Sequence, residues 1–338
     1  MTNHAMMKVD FKRMEMKYIY TRLAFLFLLL LLCASCQKQE PEGPYIPWRP
    51  ENVEKGTIEL KDATRPLIVT EQSQGHIVIV DQPTGKIAWE WKPAEDGLDP
   101  SQVKLFTEPD EAKPVLDKSC VLVTASSGGA ALVRIEDKKV LFVVNAGGSP
   151  HSAEILPDGS IVVACSNSNK LQIYKCRDGV YDTKPTSSAV VAAAHNAVWD
   201  KKRECLWTAS EGRVYKYSYD KTKTTLTQEY GYDVPDDMSM IHDLIPVYGK
   251  DELYLTTGKN VFSFNPETGK VVSVELAYKK NVKSISTGPE GWPQILTRPT
   301  SSSYWTSEVV DFNGNCLFSY FKYKIYKVRW YVDQPFSY

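Results

Sequence analysis

A short apolar run that ends in Thr or Ala and then enters turn residues occurs six times, ending at Thr70, Thr124, Ala164, Thr208, Thr256 and Thr297. The intervals between these ends are 54, 40, 44, 48 and 41 residues. Units of this length, each holding several short strands, are the sequence pattern of a β-propeller. Such a fold sets one strand of every blade around a common axis. Residues in the same phase of different units therefore become neighbours.

The units align beyond the apolar run. A second strand follows at 76–80, 171–175, 213–217 and 261–264, and then a polar turn. The turns Asp81-Gln-Pro-Thr-Gly-Lys86 and Asn265-Pro-Glu-Thr-Gly-Lys270 are near-copies, and Asn313-Gly314 serves the sixth unit. Gly and Asn supply the left-handed positions that tight hairpins need. A last strand comes next, at 86–91, 139–144, 270–275 and 317–321. The first unit has no inner strand of its own before Leu67, whereas the chain ends in an extra one at 325–332. Placing that strand innermost in the first blade joins the two ends and removes the open edges. No segment beyond the N-terminal apolar run has a helical period. The predicted fold is all-β, a six-bladed β-propeller over residues 56–338, closed by a C-terminal strand that completes the first blade.

The N-terminus reads as an address. Lys17 and Arg22 precede the apolar run 23–32, which is too short for a membrane-spanning helix. Ala34, Ser35 and Cys36 follow, an arrangement that resembles a bacterial lipoprotein signal with Cys36 as the lipidated residue. An ordinary secretory peptide is the alternative. Residues 1–35 are thus expected to be a signal peptide, and 36–55, with Pro41, Pro44, Pro47 and Pro50, a lipidated tether. The expected location is the cell envelope, lipid-anchored to a membrane, with a monomeric domain. A net charge of −1 gives no electrostatic case for nucleic acid. Beyond the signal stand Cys120, Cys165, Cys176, Cys205 and Cys316, an odd number without CxxC spacing, so a disulfide-built fold is not indicated.

Counting back from each Thr or Ala locates the start of the inner strands. Thirteen residues before Ala164 and Thr208 stand His151 and His195, and fourteen before Thr256 and Thr297 stand His242 and Lys283. Eleven before Thr124 stands Lys113, and the extra strand offers Lys327 or Arg329 to the first blade. Two chemistries suit such a ring. Neutral imidazoles from three adjacent strands ligate a divalent metal, manganese or zinc, and leave a position for substrate. Alternatively His and Lys form a cationic pocket for a carboxylate, sulfate or phosphate. Both point to an acidic saccharide, with His151, His195 and His242 as metal ligands or His195 and His242 as base. Lys113, Lys283, Lys327 and Arg329 would meet substrate charge. The simpler reading is that a repeat protein reuses a polar residue at one structural slot. Asp233, Asp236, Asp237 and Asp243 lie near His242 as candidate orienting groups or as a solvated acidic loop. Trp305 and other aromatics serve as sugar platforms or, for most of them, as packing. His76 is out of phase and reads as structural.

The motifs Ser149-Pro-His-Ser-Ala-Glu154, Leu156-Pro-Asp-Gly159, Ala194-His-Asn-Ala197 and Ile241-His-Asp-Leu244 resemble a family of uncharacterised propeller lipoproteins from glycan-degrading bacteria. That resemblance covers about residues 56–338 and implies a fold and an envelope location, without an activity. More distantly, the axial histidines resemble those of oligogalacturonate lyases, whose seven-bladed propellers hold a divalent metal. Only that theme carries over, onto His151, His195 and His242; the lyases' further catalytic histidine and glutamine ligand have no counterpart placed here. The expected function is binding of an acidic, uronate-containing oligosaccharide and, if the protein is an enzyme, its cleavage by β-elimination. Elimination is favoured over hydrolysis because no carboxylate pair is evident. The alternatives are a non-catalytic glycan-binding module and a protein-interaction propeller.

Overall fold

The computed structural model describes residues 56–235, 240–299 and 303–337. The predicted signal peptide, Cys36 and the tether lie outside the described residues. Six four-stranded antiparallel sheets form the blades of a β-propeller. Blade one, from its innermost strand outwards, is Ile325–Trp330, Pro66–Glu71, His76–Asp81 and Lys86–Trp91. Blade two is Pro109–Val115, Cys120–Ala125, Gly129–Arg134 and Val140–Asn145. Blade three is Pro150–Ile155, Ile161–Cys165, Lys170–Tyr174 and Ser187–Val190. Blade four is Val198–Asp200, Cys205–Ser210, Arg213–Asp220 and Thr225–Asp233. Blade five is Ile241–Pro246, Leu253–Thr257, Val261–Phe264 and Val271–Ser273. Blade six is Ser284–Ser286, Ile295–Thr297, Glu308–Asp311 and Cys316–Ser319.

Ring closure follows the sequence expectation. The C-terminal strand pairs with the first apolar run through Leu67↔Trp330, Ile68↔Arg329 and Val69↔Val328. The apolar runs lack polar alternation because every residue of Pro66–Glu71, Cys120–Ala125, Ile161–Cys165, Cys205–Ser210 and Leu253–Thr257 is buried. A second strand has a blade against each face, so both sides must be apolar. Leu67 and Val69 pack with Ile295, Val309 and Phe318 of blade six, whereas Ile68 packs with Val121 and Val123 of blade two. The closing seam is thus an apolar core like the other blade contacts.

The recurrent Thr has its own cause. Thr70 donates its hydroxyl to Lys327 O at 3.1 Å and lies 3.3 Å from Asp110 O in the next blade. Thr208 and Thr297 reach the inner-strand carbonyls of Asn196 and Tyr326 at 2.6 and 3.0 Å. In blades one, four and six this threonine therefore stitches the second strand to the axial layer, whereas Thr124 and Thr256 keep their hydroxyls buried without a hydrogen bond and Ala164 has none to give. In the near-copied turns Gly85 and Gly269 hold φ of 68° and 70°. A Cβ on Gly269 would also meet the Tyr232 ring at 2.2 Å, so two constraints demand glycine there.

Helical turns depart from the all-strand expectation. A one-turn helix, Pro100–Val103, capped by Asp99 and Gln102, leads into the 3₁₀ turn Lys104–Phe106 between blades one and two. A second 3₁₀ turn is Leu60–Asp62. The insertion accounts for the longest repeat interval, and it buries Phe106 edge-on to Trp91 at 5.3 Å. Among the described residues no disulfide joins two cysteines.

Candidate functional site

The strand register sorts the axial residues into layers. Glu111, Ser152, Asp243 and Ser284 pair with the repeat-marking Thr124, Ala164, Thr256 and Thr297. In blades two, three and five a bulge sets off the preceding residue: Asp110, His151 and His242. Bulges re-aim a side chain out of the regular pleat, which suits a site at a channel mouth. In blade six Lys283 precedes the first strand pair. In blade one Tyr326 and Lys327 together face Thr70, between Val69↔Val328 and Glu71↔Ile325.

The local backbone then fixes the imidazoles. Ser149 and Ala193, two residues before His151 and His195, both hold the left-handed conformation, with φ of 58° and 46°. Each turns its carbonyl back onto the following ring, so His151 Nδ1 lies 2.9 Å from Ser149 O and His195 Nδ1 2.7 Å from Ala193 O. A carbonyl only accepts, so both rings carry their proton on Nδ1 and expose the lone pair of Nε2. Asn281, two residues before Lys283, is left-handed as well, with φ of 57°. Non-glycine residues rarely adopt this conformation, and each costs about 1 kcal/mol or more. Three blades bear that cost two residues ahead of a polar axial side chain.

These groups meet. The rings of His151 and His195 lie 4.3 Å apart, those of His195 and His242 6.1 Å, and those of His151 and Tyr326 6.2 Å, centroid to centroid. Lys283 Nζ stands 3.1 Å from His242 Nε2. Asp110 approaches His151 Nδ1 at 3.6 Å and is hydrogen-bonded to Ser126. Burial holds the imidazoles uncharged. It pulls His151 down to about 4, and it lowers His195 and His242 well below the ordinary histidine value, with His151 and Lys283 respectively as the next causes. Burial likewise pushes Asp110 up to about 8, so this carboxyl is largely protonated at neutral pH.

Below this layer the axis is filled by ions. Arg329 clamps Asp243 through Nη1–Oδ2 at 2.8 Å and Nη2–Oδ1 at 2.6 Å, and meets Glu111 at 2.5 Å. Lys327 lies 3.3 Å from Asp243 and 3.5 Å from Glu111. Lys113 lies 3.4 Å from Glu111 and 3.7 Å from Glu154, and donates to the carbonyls of Ala153 and Ala197. Three cations face three carboxylates, all buried. Burial opposes the charge on Glu111, but Lys113, Lys327 and Arg329 overcome it and hold its carboxyl below the ordinary range. Removal of one partner from such a buried, hydrogen-bonded network strands the others.

The structure therefore brings His151, His195, His242 and Lys283 together at one end of the axis. It places Lys113, Lys327 and Arg329 deeper, engaged with carboxylates rather than flanking the imidazoles. Asp243 belongs to that ion network, Asp233 pairs with Arg213 at 2.8 Å, and Asp236 and Asp237 lie outside the described residues. His76 pairs with Glu90 at 3.0 Å within blade one. Among the described residues no group of three or more His, Cys, Asp or Glu is arranged to hold a metal ion. As the rings stand, His242 gives its Nε2 to Lys283, so the three histidines do not offer three free lone pairs to a cation. The sequence count missed Asp110 and Tyr326. The signal for Asp110 was present, because it stands fourteen residues before Thr124, as His242 does before Thr256.

Comparison with solved structures supports the architecture. A Bacteroides caccae protein of unknown function superposes with a TM-score of 0.53 at 14% identity, over 78% of this chain and 98% of its own. A putative 6-phosphogluconolactonase from Bacteroides fragilis gives 0.52 at 11% identity, over 79% and 98%. The Swd1 β-propeller domain of Myceliophteria thermophila gives 0.51 at 11% identity, over 70% and 77%. At such identities the likeness shows the fold alone. No curated protein matches the sequence. The match that spans the chain is a family model over residues 17–338, and by it this protein belongs to DUF6528, a family of unknown function.

Proposed function

We propose that the axial mouth binds the uronate unit of an acidic oligosaccharide. The observation that carries this reading is the meeting of three uncharged imidazoles and one lysine, contributed by four successive blades. The lysine meets the sugar carboxylate, and the imidazoles meet hydroxyls and the acidic C–H beside that carboxylate. His195 suits the role of base, since its Nδ1–H is held by Ala193 and its Nε2 lone pair is available. In β-elimination that nitrogen takes the C5 proton, and the C–H electron pair becomes the C4=C5 double bond. The glycosidic oxygen leaves with the bond pair and takes a proton from solvent. His242 beside Lys283 would be the second base candidate.

One observation favours capture without cleavage. Lys113, Lys327 and Arg329 are engaged with Glu111, Asp243 and Glu154, and the lysine at the histidine layer, Lys283, is itself in contact with His242. A divalent metal, manganese or zinc, is the rival occupant of the same nitrogens. His151 and His195 would offer Nε2 to it, and His242 only after Lys283 withdrew. The envelope location, with Cys36 as lipid anchor, completes the proposal: a membrane-held domain that meets glycan outside the cytoplasm.

The test is equilibrium binding of galacturonate and galactose to the purified protein and its His195→Ala variant. Ultraviolet detection of unsaturated product runs in parallel. Uronate-selective binding that the variant loses supports the site, and product formation decides between lyase and binding module. Equal affinity for both sugars, or unchanged binding by the variant, overturns the reading.

A further inference from the structure

The ring-closing seam carries a second surface that the axial site does not use. Thr306, ahead of the third strand of blade six, pairs with Ile325, the first residue of the closing strand, through bonds of 3.0 and 2.7 Å. That bridge sets Trp305 beside Lys324, whose Nζ lies 5.1 Å from the indole centroid. Tyr304 is 59% exposed, and Lys283 Nζ stands 5.9 Å from its ring. Phe321 is 55% exposed, with Lys322 Nζ 5.8 Å from its centroid. Cation–ring distances near 6 Å or less are within the range of attraction.

The segment beneath is held by hydrogen bonds. Glu71, fully buried, accepts the amides of Ser73, Gln74 and Lys324, and Gln72 N donates to Lys324 O at 2.9 Å. Its carboxyl oxygens are thus engaged by backbone amides. The segments 303–306 and 320–324 contain three large exposed or half-buried aromatics and two exposed lysines, and no Asp or Glu. Exposed aromatic rings beside ammonium groups give a surface whose chemistry suits an acidic sugar. Ring faces stack on the C–H face of a sugar, and ammonium groups meet its carboxylate. The wall also adjoins the axial layer, because Lys283 touches both His242 and Tyr304, and Tyr326 follows Ile325 and faces His151.

We infer that residues 303–306 and 320–324 form a second sugar subsite, continuous with the axial one, for the next unit of an acidic oligosaccharide. Its ring lies on Tyr304 and Trp305, and its carboxylate meets Lys324. The inference rests on the axial reading above and extends it to a ligand of at least two units.

The experiment compares galacturonate with its linear trimer, binding to the wild-type protein, His195→Ala and the double variant Tyr304→Ala/Lys324→Gln. Both positions of the double variant are exposed, and its unfolding midpoint serves as the folding control. The expected result is that wild type prefers the trimer, that the double variant loses about tenfold in trimer affinity, and that its monomer affinity stays within about twofold. His195→Ala loses both ligands. A trimer that binds the double variant as tightly as wild type overturns the subsite and leaves the axial reading standing. Neither ligand binding to wild type overturns both. A neutral galactose trimer bound as tightly as the uronate trimer overturns the assignment to acidic glycans.

Discussion

Lys283 Nζ stands 3.1 Å from His242 Nε2, and this contact sets the chemistry of the axial mouth. A charged amine only donates, so Nε2 accepts and His242 carries its proton on Nδ1, which is buried without a partner. The pair thus sets the Lys283 amine beside a neutral imidazole. On the proposed reading an anion, rather than a metal ion, occupies this layer.

Replacement of the lysine tests that coupling. In Lys283→Ala the His242 pKa should rise, because the neighbouring positive charge is gone, while burial still holds it below the ordinary value. Imidazole resonances followed against pH report the change. The same variant should lose more affinity for uronides than for neutral sugars; equal losses contradict the role assigned to its charge.

Metal content separates the two occupants. With Lys283 on His242, the purified wild-type protein should bind zinc or manganese weakly, and Lys283→Ala should bind it more tightly by freeing a third nitrogen. Elemental analysis after reloading with each ion and desalting measures this. Stoichiometric metal in wild type that disappears in His195→Ala would show that the metal, not an anion, is the natural occupant.

Stability should fall as pH rises from neutral. Asp110 keeps its proton in the folded chain up to about 8, against an ordinary 3.8, so between these values the folded state holds the extra proton and stability decreases with pH. The histidines act in the opposite sense and at lower pH: unfolded imidazoles take up protons below 6.5, whereas folded His151 resists until about 4. Of these groups only Asp110 acts between about pH 6.5 and 8, with up to about 2 kcal/mol at stake. Asp110→Asn should flatten this slope in denaturant titrations.

The ion network beneath the mouth should dominate stability at the axis. Arg329→Leu leaves Asp243 and Glu111 buried with fewer partners, and should cost about 3–5 kcal/mol. The shift appears in the denaturant midpoint at unchanged slope. A loss below about 1 kcal/mol would show that Lys327 and Lys113 compensate alone.

Much of the blade order was legible because the second strands are buried on both faces, and an apolar run between turns is hard to read otherwise. The closing strand was legible for a related reason, since the run before Leu67 offered no partner and residues 325–332 did. The phase count found His151, His195, His242 and Lys283. It failed in blade two, where a count of eleven selected Lys113 although fourteen would have selected Asp110. The spacing did carry Asp110, and the same bulge stands in blades three and five where the count succeeded; the count of eleven passed over a carboxylate for the nearer cation. It failed in blade one because the inner strand comes from the far end of the chain, and no hairpin length fixes its register. The buried pairing of Lys327 and Arg329 with Asp243 and Glu111 was illegible for the same reason: those partners come from three different blades. The short helix before Phe106 was missed because one turn carries no period.

The most direct test of the central claim is the response of the imidazole resonances of His151, His195 and His242 to added oligogalacturonate. The account predicts saturable shifts of all three, with His76, paired to Glu90 elsewhere in blade one, unmoved. Axial resonances that stay in place while the saccharide binds would show that the ligand lies elsewhere, and would contradict the assignment.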